Sequence, residues 1–439
     1  MVAAVLIAAP ASGQGKTTVA AALARLHARQ GRRVRCFKCG PDFLDPLWLQ
    51  AASGHAVDSL DLWINGETDC AHRLAVAATQ SDLLIVEGVM GLFDGEPSAA
   101  DLAQRFGIPV LVVIDASAMA GTFAALAHGL QTWRPALPWA GVLANRVGSA
   151  RHAEMLRDAL RDAVMWQGHL PRQAALQLPE RHLGLTMPRE SADALTRLDA
   201  AADALAATPL GQRSLSDWPQ WQAPAASASA PPPAPPPTLR GQRIAIARDA
   251  AFAFIYPANL AVLEALGAEL VFFSPLAGDT LPPCGALWLP GGYPELHAAA
   301  LSARHDLRDQ IASHIAQGRP VWAECGGMMA LADRLVDGQG TAHPMWGLLP
   351  GAAVLGKRLA ALGPHVWTRD GDALRGHSFH WSRFDTPLPA LDHTVPARGV
   401  AAGAGEPVLQ RGSLRASWFH PWFASSPAFT ARLFSEGAW

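Results

Sequence analysis

The chain is short of lysine. Only Lys16, Lys38 and Lys357 occur among its 35 basic residues, so arginine supplies positive charge almost everywhere. Two of the three lie in motif-like stretches, which points to a compact ammonium where a planar guanidinium would not serve. There is no excess of either sign: the formal net charge is −2 over 439 residues. That balance argues against a general nucleic-acid binder, which would usually be basic. No apolar run approaches the roughly 18 residues that a membrane helix needs. The opening Val2-Ala3-Ala4-Val5-Leu6-Ile7 has no basic segment or cleavage site around it. It reads as a buried first strand and not as a signal peptide. Cysteines are few and odd in number, at 36, 39, 70, 284 and 325. So scattered a set builds no disulfide framework, and the cytoplasm is the expected compartment.

The length exceeds one ordinary core, so two domains are expected. A run of Ala, Ser and Pro over residues 225–237 cannot build a core and reads as a semi-rigid spacer. The expected division is 1–218, a linker over 219–240, and 241–439. In the first part, apolar runs at 2–8, 34–38, 82–86, 109–114 and 140–143 alternate with helical patterns at 17–30, 69–80, 98–106, 121–133 and 151–163. The runs are continuous, as in strands covered on both faces. The second part repeats the logic with strands at 243–247, 269–273, 286–289 and 320–323 and helices at 259–266, 307–316 and 328–335. Two doubly wound α/β domains are the expected fold.

Ala11-Ser12-Gly13-Gln14-Gly15-Lys16-Thr17-Thr18 lies between a strand and a helix, the setting that a phosphate-binding loop requires. Its amides and the helix N-terminus cradle phosphate oxygens, Lys16 neutralises them and Thr17 ligates Mg²⁺. Glu87 closes an apolar strand, at the carboxyl end that faces the ligand crevice of such a sheet, and is a candidate Mg²⁺ ligand. Asp94 follows in Met90-Gly91-Leu92-Phe93-Asp94-Gly95 as a residue for substrate or metal. In Lys38-Cys39-Gly40-Pro41-Asp42-Phe43-Leu44-Asp45-Pro46, Asp42 and Asp45 are candidates for Mg²⁺ or substrate. Cys36 and Cys39 read as buried thiols and not as a metal or redox pair.

Val321-Trp322-Ala323-Glu324-Cys325-Gly326-Gly327 reads as a strand followed by a sharp turn into a helix, the arrangement that projects a nucleophile. A thiol there needs a base. His420, in Ser417-Trp418-Phe419-His420-Pro421-Trp422, is the best candidate. Leu289-Pro290-Gly291-Gly292-Tyr293-Pro294-Glu295 offers an amide at Gly292 for an oxyanion hole, with Gly326 the second donor. His377 and His380 read at least as readily as structural histidines.

In these motifs and in their order the chain resembles the cobyrinate or hydrogenobyrinate a,c-diamide synthases of corrin biosynthesis. The resemblance runs nearly end to end and includes Leu178-Pro179-Glu180-Arg181-His182-Leu183-Gly184-Leu185. It implies an N-terminal half like dethiobiotin synthetase and the ParA/MinD ATPases, and a C-terminal half like class I glutamine amidotransferases. It implies glutamine hydrolysis at Cys325 with His420 as base, transfer of ammonia, and activation of two corrin acetates by ATP as acyl phosphates. Ser12, Gly13, Gly15, Lys16, Thr17, Thr18 and Asn145 then serve ATP, with Asn145 at an adenine-reading position. Thr17, Asp45 and Glu87 serve Mg²⁺, and Lys38, Asp42, Asp94 and Tyr256 serve the substrate. Asp249, Tyr256 and Asn259 fall in a stretch expected to line the domain interface. No nucleic acid or membrane partner is implied, and dimers are common among such enzymes.

Class I amidotransferases often carry Glu two residues after the histidine, where this chain has Trp422. What steers His420 is not legible in the sequence, nor is the presence of cobalt in the substrate. A cobyric acid synthase, a metal-sirohydrochlorin amidating enzyme and a ParA/MinD-like switch are the rival readings. The switch would have no use for Cys325 or His420.

Overall fold

The computed structural model describes residues 1–161, 165–181, 184–224, 234–397 and 405–437. The chain forms two compact units, Met1–Pro232 and Pro233–Trp439.

In the first unit the elements run β1 (Val2–Ala8), α1 (Lys16–Arg29), β2 (Val34–Cys39), α2 (Asp45–Ser53), β3 (Asp58–Leu60), α3 (Glu67–Gln80), β4 (Leu83–Glu87), α4 (Ala99–Phe106), β5 (Val110–Asp115), α5 (Gly121–Thr132), β6 (Trp139–Val147), α6 (Ala150–Ala159) and β7 (Trp166–Pro171). The two-residue strands β8 (Glu180–Arg181) and β9 (Gly184–Leu185) follow, then α7 (Ala194–Ala206), α8 (Pro209–Gln212) and β10 (Gln220–Trp221). The main sheet is parallel in the order β3-β2-β4-β1-β5-β6-β7. Strand β1 shows why both faces are covered. Ala4, Leu6 and Ala8 enter one apolar core, whereas Ala3, Val5 and Ile7 enter the other. Every residue of β1 is buried, and each fully buried Val, Leu or Ile contributes about 1.5–3 kcal/mol. Ser98 caps α4 by accepting from the Asp101 amide while the Asp101 carboxylate accepts from the Ser98 amide, a reciprocal box that fixes where this helix begins.

Both ends of the span read as linker carry structure. Gln220 and Trp221 pair antiparallel with β1, and the Trp221 indole donates to Phe106 O at 2.7 Å. Leu239 is buried in the second unit, with its amide on Leu266 O at 2.9 Å. Residues 225–233 lie outside the described residues, as do His182 and Leu183.

The second unit contains β11 (Arg243–Ala247), α9 (Pro257–Ala265), β12 (Glu269–Phe273), β13 (Ala286–Leu289), α10 (Ala298–Ser302), α11 (His305–Ala316), β14 (Val321–Glu324), α12 (Gly326–Leu331), β15 (Ala332–Val336), β16 (Ala342–Pro344), β17 (Leu349–Leu355), β18 (Ala361–Arg369), β19 (Asp372–His380), β20 (Ser382–Asp385), β21 (Ala390–His393), β22 (Val395–Pro396), β23 (Pro407–Arg411), β24 (Leu414–Ser417), β25 (His420–Pro421) and α13 (Pro427–Leu433). Its main sheet runs β12-β11-β13-β14-β24-β23-β21. It is parallel as far as β24 and antiparallel beyond. Two small mixed or antiparallel sheets complete the unit. The helix expected at 328–335 is shorter: α12 stops at Leu331, and residues 332–336 extend as β15 beside β17. Strand pairing with a distant segment overrides local helix propensity there.

Candidate active site

In the first unit the loop between β1 and α1 is held from the neighbouring strands. Asn145 on β6 donates its amide to Gln14 O at 2.9 Å, and the Asp115 amide on β5 donates to Gln14 Oε1 at 2.8 Å. Gly15 has φ 96°, and a Cβ there would collide with the Asn145 side chain. Only glycine meets both demands. The Lys16 ammonium donates to Ala11 O (3.1 Å) and Met90 O (2.6 Å). Burial, then the neighbouring Lys38, depresses its pKa.

Beside this loop lies a buried charge cluster. The parallel register places Lys38 opposite Glu87 at the carboxyl ends of β2 and β4. The Lys38 ammonium lies 2.7 Å from Asp45 Oδ2 and 3.2 Å from Glu87 Oε1. Thr17 donates to the same Glu87 oxygen at 2.6 Å. Glu87 is fully buried, and its Oε2 has no hydrogen-bond partner. Burial pushes its carboxyl up to about 8, although Lys38 pulls the other way. Burial, then Asp45, pushes Asp42 up to about 7. Burial acts on Asp45 likewise, but the Lys38 ion pair outweighs it and holds that carboxyl below its ordinary range. Asp42 Oδ1 also accepts from the Leu44 and Asp45 amides, and Asp94 Oδ2 accepts from the Gly91 amide at 2.9 Å. Cys36 and Cys39 point to opposite faces of β2, into different cores. They cannot converge on one metal.

In the second unit Cys325 sits between β14 and α12 with φ 44° and ψ −105°. That is a strained conformation for a residue with a side chain, and it aims the thiol off the end of the strand. Its amide donates to Ser417 O at 2.8 Å, which ties the elbow to the segment carrying His420. The Gly291-Gly292 turn approaches both. A Cβ on Gly291 would lie 2.5 Å from His420 Cε1, and one on Gly326 would lie 2.8 Å from Gly292 N. The expected nucleophile, base and oxyanion amides therefore gather around one turn. Burial, followed by Glu295, raises the thiol pKa, so Cys325 rests protonated.

His420 is buried, with Nδ1 3.1 Å from Glu324 Oε2. Its ring stacks on His377 at 5.1 Å between centroids. His377 pairs with the Tyr256 hydroxyl at 3.3 Å, and burial, then His420, holds its pKa well below 6.5. Tyr256 is 5% exposed and turned onto His377 and Trp422. Asn259 clamps the His420 segment: its amide donates to Pro421 O (2.9 Å) and its carbonyl accepts from the Phe423 amide (2.9 Å). Asp249 accepts from the Ala251 and Leu276 amides and from Ser274, which fixes a turn. His380 stacks on Trp418 and pairs with Glu406 at 3.0 Å. A cavity of about 530 Å³ opens beside Met328, His380 and Glu406, and neither Cys325 nor His420 lines it.

The sequence reading did not single out Glu324, although it stands next to Cys325, the expected nucleophile. Its partner is 96 positions away, and only the β14–β24 pairing brings the two together. Among the described residues, no group of three or more His, Cys, Asp or Glu is arranged to hold a metal ion, and no helix is long and apolar enough to cross a membrane.

Two family models match the chain. Residues 5–185 match the CobQ/CobB/MinD/ParA nucleotide binding domain. Residues 243–428 match the CobB/CobQ-like glutamine amidotransferase domain. A Stutzerimonas stutzeri protein named hydrogenobyrinate a,c-diamide synthase is 55% identical over 434 residues, 98% of each chain. A Pseudomonas aeruginosa protein of the same name is 53% identical over 98% of this chain and 97% of its own. A Herminiimonas arsenicoxydans protein named cobyrinate a,c-diamide synthase is 47% identical over 98% of this chain and 96% of its own.

Proposed function

From the premise that this chain belongs to the hydrogenobyrinate and cobyrinate a,c-diamide synthase family, we propose that it amidates the a and c acetates of a corrin acid with nitrogen from glutamine, at the expense of ATP. It is a glutamine-dependent amide-forming ligase of cobalamin biosynthesis. The observation that carries the assignment of residues is the convergence of Cys325, Gly326, Gly292 and His420 on one turn.

In the second unit His420 takes the thiol proton and the sulfur of Cys325 attacks the glutamine amide carbon. The amides of Gly292 and Gly326 stabilise the charge that develops on oxygen. Ammonia leaves and water hydrolyses the thioester. In the first unit Ser12, Gly13, Gly15, Thr18 and Asn145 shape the nucleotide site and Lys16 meets the phosphates. Thr17 and Glu87 fit a magnesium ion, because Glu87 keeps a buried oxygen without a donor. Asp45 is close by but engaged by Lys38. With so few protein ligands, the remaining oxygens would come from phosphate and water. Mg²⁺ would supply charge neutralisation on the phosphates when bound. Asp42 and Asp94 meet the substrate acid, while Lys38, buried and paired with Asp45 and Glu87, orders the acids beside it rather than touching the corrin. The acid is activated as an acyl phosphate before ammonia displaces the phosphate. The buried setting of Tyr256 supports a role beside the histidines and not in contact with the corrin.

The Cys325→Ser variant tests the division of labour. Glutamine-dependent amidation and glutamine hydrolysis are expected to vanish, whereas ammonium chloride restores amidation of the corrin acid. A variant that ammonium cannot rescue would refute it. Product masses from hydrogenobyrinate, cobyrinate and sirohydrochlorin separate the rival substrates.

A further inference from the structure

A histidine that acts as a base through one ring nitrogen needs its other nitrogen held, or the ring samples the wrong tautomer. In this chain Trp422 occupies the position, two residues past His420, where a carboxylate would do that work. We propose that Glu324, the residue immediately before the nucleophile, is the positioning residue that fixes the tautomer and orientation of His420. The proposal rests on the reading of Cys325 and His420 as the glutaminase pair.

Three ring nitrogens converge on the Glu324 carboxyl group. Oε1 accepts from the Trp288 indole at 2.8 Å and from the Trp322 indole at 2.9 Å. Oε2 faces His420 Nδ1 at 3.1 Å. An indole can only donate, so both contacts on Oε1 require an acceptor. Trp288 and Trp322 stand opposite each other in the β13–β14 register. Both are fully buried. Glu324 and His420 are each 2% exposed, so neither side chain has solvent to exchange partners with. Burial raises the pKa of Glu324, and the histidine and the two indoles oppose that rise.

With Nδ1–H donated to Glu324, the lone pair of His420 lies on Nε2. That nitrogen takes the proton of the Cys325 thiol as the sulfur bonds to the glutamine amide carbon, and later returns it to the departing ammonia. The Glu324 carboxyl, held by the two indoles, stabilises the transient imidazolium. The surroundings make such help necessary. Apart from burial, Glu295, Glu324 and Glu406 all disfavour a free thiolate at Cys325, so the sulfur must lose its proton to a base. His377, stacked on the same ring, stays neutral and is in turn paired with Tyr256. It adds no competing charge. Placing the orienting acid and the nucleophile at adjacent positions also couples them through one strained turn, so that a shift of β14 moves both together.

The test compares Glu324→Gln with Cys325→Ser in the full-length protein, by glutamine hydrolysis across pH 6–10. The glutamine side chain keeps an acceptor for the indoles but turns an NH₂ towards His420, which forces the proton onto Nε2. The expected result is a fall of about 10²–10⁴-fold in kcat, with KM for glutamine changed less than about threefold. The rate should recover about tenfold per pH unit in alkali, as hydroxide replaces the base. A Glu324→Gln kcat within threefold of the parent, with an unchanged pH profile, overturns the positioning role and leaves the glutaminase pair intact. Hydrolysis surviving in Cys325→Ser overturns the pair itself, and the positioning role with it. Should Glu324→Gln fail to fold, nitrogen-15 correlation spectra of His420 in the unaltered protein decide. A proton on Nδ1 supports the proposal and one on Nε2 refutes it.

Discussion

Glu87 is a carboxylate with no solvent, one oxygen shared between Thr17 and Lys38 and the other without a donor. An isolated buried charge would be prohibitively costly. Here Lys38 offsets part of that cost, and a cation among phosphates would offset more. Replacing that open oxygen with an amide NH₂, which cannot face a cation, should therefore hurt the ligase step selectively. Glu87→Gln is expected to lower ATP-dependent amidation on the order of 100-fold while glutamine hydrolysis stays within about threefold. Parallel assays of phosphate release and glutamate release check this. Glu87 was legible in the sequence because an apolar run ending in an acid places that acid at the crevice end of a parallel strand. Glu324 ends its strand in the same way and sits inside a quoted motif. Its role stayed hidden because it depends on a histidine and two indoles brought in from other strands.

At the scale of elements, the His420 segment is short and irregular, with only two residues in β25. It owes its position to α9, where Asn259 satisfies the carbonyl of Pro421 and the amide of Phe423 at once. Both backbone groups are buried, and each one orphaned costs about 1–3 kcal/mol. Asn259→Ala is expected to destabilise the second unit by about 2–4 kcal/mol, read by denaturant unfolding, and to lower glutaminase activity at temperatures below the melt. Asn259's two hydrogen bonds both lie within the second unit. The central parallel strands were legible, since continuous apolar runs between helical patterns need no distant partner to be recognised, whereas β3, β7 and β24, which also pair parallel, were missed. The strands from β15 onward were not, although β18–β19 and β23–β24 close as tight hairpins, because their apolar alternation is broken by glycine, proline and charged residues.

For the molecule as a whole, both units hold buried histidines kept neutral, and away from the site His27 in the first and His314 in the second are the ones most strongly shifted. Burial lowers both to about 4, from an ordinary 6.5. The unfolded chain therefore binds protons that the folded chain refuses as pH falls. Their contribution to stability is complete above about pH 6.5 and is lost progressively towards pH 4. His314 also bonds Pro320 O at 3.3 Å, just ahead of β14. Melting temperatures measured at pH 7.5, 6 and 5 should fall, and His314→Gln should flatten that slope for the second unit alone. An unchanged slope would place the acid sensitivity elsewhere.

The α/β fold class and the family were already written in contiguous residues, because strand–turn–helix motifs are set by local backbone chemistry. What faces the histidine, and which acid keeps an oxygen without a donor, became visible once the strands were paired. Those depend on burial and on partners from separate strands, and neither is a property of a residue until the chain has folded around it.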